Sequence, residues 1–270
     1  LLASIKTSFR VAPITALIVL LPTSAHTLGP VVSAIDRVLE ITLGNLVGVA
    51  VALLILPSRA HTLLTEAAAQ VVRLNAELVT LLLNGVLADA GAIGTPALHA
   101  RIRASLKQVE SAADEAARER KSHLTDAPDP EPLVRTLYRV RHDFVMIGRA
   151  AASPLDERIR VRLATCIAQI RDAAQTFLVA LADALQMRGS PPSATAFDES
   201  LAALVSEMET MRGEHFLEPL PAEAVARLYA LRFSLEQLRQ DLDDLDARTR
   251  EMMLKRKDSD GATRQPPDGG

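Results

Sequence analysis

Residues Val38–Leu56 read VLEITLGNLVGVAVALLIL, with Glu40 as the only charged side chain. As a helix rising about 1.5 Å per residue, this run is about 28 Å long, close to the hydrocarbon thickness of a bilayer. Pro57 ends it, and Arg59 and His61 follow. The competing assignment is a core helix of a large soluble protein. Such helices are usually shorter and keep a polar stripe, which this run does not. Gly44-Asn45-Leu46-Val47-Gly48 adds a small-residue face on which a second helix packs closely within a membrane.

Working outward toward the amino end, Val11–Leu21 (VAPITALIVLL) is a second apolar run. It is only about 16 Å long as a helix, and of marginal length even when extended to His26. Between the two runs, Thr23–Ile35 contains the turn signal Gly29-Pro30. Lys6 and Arg10 precede the first run and Arg59 follows the second. The excess of positive charge at both outer ends places those ends in the cytoplasm and the Thr23–Ile35 loop outside, making a transmembrane hairpin. The chain opens on Leu1 in apolar sequence, with its first charge only at Lys6. That order is the reverse of a signal peptide and reads as an amino-terminally truncated protein.

Toward the carboxyl end the pattern becomes amphipathic. The spacing predicts helices over His61–Ala88, Thr95–Leu124, Leu133–Ala152, Pro154–Met187, Thr195–His215 and Pro221–Lys257, separated by Gly- and Pro-rich breaks such as DAPDPEP and GSPPS. Thr95-Pro96 supplies a cap followed by proline at the first helical position. In the last helix Leu228, Leu231, Leu235, Leu238, Leu242 and Leu245 alternate steps of three and four, continued by Met252. This heptad seam packs helices at a shallow angle, either inside a bundle or as a coiled coil between copies in a homo-oligomer. The expected fold is all-α. A membrane region (residues 1–57) precedes an antiparallel helix bundle (58–257) and a disordered polar tail (258–270).

Composition agrees with helices. Of 270 residues 49% are apolar but only 3% aromatic, and Leu and Ala supply the bulk. The 30 Lys and Arg against 33 Asp and Glu give a net charge of −3, which argues against nucleic acid as a partner. A mean hydropathy of +0.15 beside 23% charged residues reflects the division between an apolar front and a charged back. The single cysteine, Cys166, excludes an internal disulfide and a multi-cysteine zinc site, and reads as a packing residue.

No residues in the chain present an enzyme's signature. The six histidines include no pair at the three- or four-residue spacing of a helical metal site, and no phosphate-binding loop or nucleophile elbow occurs. Neither a metal nor another cofactor is expected. Two charged constellations stand out. Arg37 and Glu40, three residues apart at the start of the long apolar helix, share a face. They read either as a local interfacial pair or as an anion contact beside a proton-linked carboxylate. Arg135, Arg139, His142 and Arg149 form a basic face, and Asp241, Asp243, Asp244 and Asp246 an acidic run on the last helix. They read as complementary bundle surfaces, or the basic set as a cytoplasmic face for anionic substrate or lipid headgroups.

Ser8-Phe9-Arg10-Val11-Ala12-Pro13 with Thr15–Leu21 resembles the fifth membrane helix of the fusaric acid resistance (FUSC) or aromatic acid exporter family. Asp36–Ile41 with Gly44 and Gly48 resembles its sixth, while Leu133–Ala150 and Glu236–Arg239 resemble its cytoplasmic helical segment. The resemblance implies the last two helices of a six-helix membrane unit, whose missing amino-terminal helices would be partners along with the lipid bilayer. It also implies an inner-membrane exporter of small, often aromatic, organic acids. A membrane-anchored helical interaction module without transport is the alternative.

Overall fold

Prolines and glycines mark most of the breaks between helices, and polar caps and left-handed residues set several of the ends. The computed structural model describes residues 30–55, 59–88, 94–121, 127–152 and 155–262. Within them the chain is all-helical: α1 (Pro30–Ile55), α2 (Arg59–Leu87), α3 (Thr95–Lys121), α4 (Glu131–Ala150), α5 (Glu157–Leu185), α6 (Thr195–Gly213) and α7 (Ala222–Ala262). The chain divides into two compact units, Leu1–Leu56 and Pro57–Gly270.

In the first unit only α1 is described: the apolar run Val11–Leu21 and residues 23–29 of the expected Thr23–Ile35 loop lie outside the described residues, while residues 30–35 of that loop are helical. Helix α1 has 26 residues, about 39 Å at 1.5 Å per residue. It begins at Pro30, eight residues before the quoted run, because proline is compatible with a first helical turn. Ile35, Val38, Leu39, Leu43, Leu46 and Val47 are all exposed. They lie on one broad face, about half the circumference, while Ile41 is exposed on the other side and every residue from Val38 to Gly48 is exposed. An apolar surface this wide belongs against protein or lipid rather than in water.

The second unit is organised around α2. This helix packs most extensively on α5 and α3 and also touches α4; α4 packs on α7, and α5 on α6 and α7. Among the described residues α2 is the one helix long and apolar enough to cross a membrane, and most of it is buried within the unit. Its apolarity is accounted for by its central place in the core. The heptad seam of α7 is buried within the same chain: Leu228, Leu231, Leu235, Leu238, Leu242, Leu245 and Met252 all belong to the core. Cys166 packs against that core, partly buried.

Local chemistry fixes the helix ends. The Asp156 carboxylate accepts a hydrogen bond from the Arg158 amide at 2.9 Å and so caps α5. Asp129 accepts from the Glu131 amide at 3.1 Å before α4, where Pro132 occupies the first turn. Arg118, Arg120 and Lys121 sit in the last turn of α3, where positive charge offsets the helix dipole. Helices α5 and α6 both end by reversing into a left-handed residue, Met187 (φ 59°) and His215 (φ 56°). At each end the amide two residues past the cap returns to the last turn, Arg188 to the Asp183 carbonyl and Phe216 to the Met211 carbonyl, both at 2.9 Å. The GSPPS signal thus marks the break after α5, while Met187 makes the turn itself. At the far end α7 continues to Ala262, so residues 258–262, expected in a disordered tail, are helical. Residues 263–270 lie outside the described residues.

Candidate functional site

Two places hold the charged residues that the sequence singles out. On α1, Arg37 and Glu40 form an ion pair, Nη1 to Oε2, at 2.6 Å. Both are substantially exposed, so the guanidinium and carboxylate neutralise each other within one helical turn. One turn further on, Gly44 and Gly48 have open space where a Cβ would stand, and nothing among the described residues packs there. The small-residue face is therefore open on this helix.

The second place is a groove of about 540 Å³ between α4 and α7. Helical spacing brings Arg135, Arg139 and His142 to one wall of it, beside Tyr138 and Met146, and α7 contributes Phe233, Ser234 and Gln237 opposite. Arg149, the fourth member of the expected basic face, lies against Met146 instead, its Nη1 3.9 Å from the sulfur. Both groove arginines are engaged by acidic partners. Arg135 pairs with Glu131 at 2.6 Å along its own helix. Arg139 reaches across to α7, where it pairs with Asp241 at 3.3 Å and with Asp244. The basic face of α4 and the acidic run of α7 are thus matched surfaces at this seam, leaving little uncompensated positive charge.

At the floor of the groove lies a feature that the sequence reading missed. Asp143 of α4 is only 3% exposed and Asp241 of α7 only 8%. Asp143 is hydrogen-bonded to Asp241, while its Oδ2 is buried without a hydrogen-bond partner. Burial, together with the hydrogen bond and repulsion from Asp241, pushes the Asp143 carboxyl up to about 8 against the pull of Arg139. At neutral pH the two aspartates therefore share a proton. Asp244, one turn along, behaves in the opposite way. Burial works against its ionisation, but the Thr136 hydroxyl at 2.8 Å and the guanidiniums of Arg139 and Arg248 hold it below the usual carboxylate range.

The signal for Asp143 was present in the spacing. Thr136, Val140, Asp143 and Ile147 form one row on α4, and all four are buried. An aspartate in an otherwise apolar or small row marks a buried charge in need of a partner. Among the described residues no three histidine, cysteine or acidic side chains gather as a metal site.

The comparisons with known proteins bear on the chain as a whole. A family model described as the fusaric acid resistance protein family, FUSC, matches residues 6–267, nearly the entire chain. No curated protein and no solved structure matches it. Proteins of this family are membrane-associated, and the match assigns the chain a general role in membrane transport or efflux. The exposed apolar α1 and the helical unit that follows it lie within the matched span, and the chain belongs to the fusaric acid resistance protein family.

Proposed function

We propose that the protein acts as a transporter rather than an enzyme, exporting small organic, often aromatic, carboxylic acids across the inner membrane with the proton gradient as the driving force. The observation that carries this reading is α1. Ile35, Val38, Leu39, Leu43, Leu46 and Val47 make a broad exposed apolar face, a surface that lipid or neighbouring membrane helices would cover. Family membership supplies the transport role. In this reading the bundle lies in the cytoplasm, and the open Gly44–Gly48 face receives another helix of the membrane unit.

Arg37 and Glu40 then stand at the outer mouth of the pathway. A fixed positive charge there lowers the barrier for an incoming carboxylate, and the neighbouring acid can carry a proton inward as the anion moves out. Their mutual pairing makes both charges cheaper to hold near the membrane. The test uses the full-length protein in cells that lack it, with accumulation of a radiolabelled aromatic acid as the readout. Expression should lower accumulation, and a protonophore should abolish the effect. The Arg37→Gln, Glu40→Gln double variant, present in the membrane at normal levels, should lose at least tenfold in export rate. Normal export by the double variant would reduce the pair to an interfacial salt bridge. Failure of the unaltered protein to export would favour a membrane-anchored interaction module.

A further inference from the structure

The floor of the α4–α7 groove is short of positive charge. Asp143 and Asp241 line it with Arg139, while Asp244, one turn along, is paired with Arg139 and with Arg248, which is itself shared with Glu251 at 3.2 Å. Arg139 is committed to Asp241 and Asp244, and Asp143 keeps a buried Oδ2 without a hydrogen-bond partner. Above this floor the walls are largely apolar and aromatic. Tyr138 presents its ring while its hydroxyl donates to Glu110 of α3 at 2.7 Å. Phe233, 64% exposed, stands across from it with no partner that would account for a large aromatic side chain in solvent.

We propose that this groove binds a small organic ammonium ion with an apolar or aromatic body, its N–H donors on Asp143 and Asp241 and its body between Tyr138 and Phe233. The inference is independent of the exported substrate. An ammonium supplies the missing charge and the missing donor together, and aromatic faces beside it add a further attraction to a cation. A volume of about 540 Å³ is within the usual size of small-molecule sites, roughly 300–1,000 Å³. An organic anion fits poorly, since Arg135 and Arg139 are already paired and the floor is acidic. With no ligand, the deficit is met by the proton shared between the two aspartates. Ammonium entry forms two carboxylate–ammonium hydrogen bonds, breaks the Asp143–Asp241 hydrogen bond and releases that proton to solvent.

The groups that bear on this proton are Asp241 from α7 and Arg139 from α4, with His142 and Tyr138 of α4, and Glu110 of α3 through Tyr138, bordering the groove. Where α2 approaches α4 it is apolar, with Leu82 lying at Gly148. The test is calorimetric titration of the full chain in detergent with phenethylammonium. The size-matched anion 3-phenylpropionate serves as the counter-probe, and two buffers of different ionisation enthalpy report proton release. Phenethylammonium should bind saturably and release close to one proton at pH 7, with affinity rising about tenfold per pH unit up to about 8. Asp143→Asn should weaken binding at least tenfold and abolish proton release. Phe233→Ala, at an exposed position, should weaken binding several-fold with the proton still released. The proposal is overturned by unchanged affinity in either variant, by preferential binding of the anion, or by the absence of saturable phenethylammonium binding.

Discussion

Asp143 shows how a single buried group couples the fold to pH. Its ordinary carboxyl value of 3.8 is raised to about 8 in the folded chain, chiefly by burial and by Asp241. Between those values the folded state holds a proton that the unfolded chain has released, so stability must fall as pH rises. The slope from one such group is at most about 1.4 kcal/mol per pH unit, and it vanishes above the folded value, where both states are ionised. Thermal melts should therefore show a lower melting temperature at pH 8 than at pH 5. Asp143→Asn keeps the shape and the hydrogen-bonding capacity without the charge, and should remove this difference, melting above the unaltered protein at pH 8. Equal pH sensitivity in the variant would assign the effect elsewhere. At this scale the sequence was least informative. Arg139 and Asp241 were each visible as members of charged runs, but burial beside Asp241 raises Asp143 while Thr136, Arg139 and Arg248 lower Asp244, and those neighbours are set by the helix pair.

At the scale of the element, α7 and α1 carry the same kind of residue to different ends. The leucines of α7 recur in a seam and vanish into the core, whereas Val38, Leu39, Leu43, Leu46 and Val47 of α1, at similar steps, stay exposed. The surrounding residues separate the two cases, charged throughout α7 and without a charge after Glu40 in α1, which is why both helices were legible in the sequence. What periodicity could not show was the exact end of each helix. Met187 and His215 take the left-handed position that glycine usually fills, so the stop is made by a residue with no stop signal of its own. Leu235 sits in the middle of the seam, fully buried. Leu235→Asp would place a carboxylate there without a partner and should lower unfolding free energy by about 3–5 kcal/mol, read by denaturant titration. A change of less than about 1 kcal/mol would mean that the seam is not held in the core.

For the whole molecule, the proposed reading is a membrane-embedded helix followed by a cytoplasmic bundle. Three features support it: the apolar run with Glu40 as its only charge, the broad exposed apolar face of α1, and the family to which the chain belongs. The proposed orientation rests on charge alone, on Lys6 and Arg10 before the first apolar run and Arg59 after the second. The most direct measurement is thiol labelling in intact cells, on full-length protein in which Cys166 has been replaced by Ala and a single cysteine introduced at Ser24 or Ser122. A membrane-impermeant maleimide should label the Ser24→Cys protein in intact cells and the Ser122→Cys protein only after permeabilisation. Labelling of Ser122→Cys in intact cells, with Ser24→Cys protected, would contradict the account.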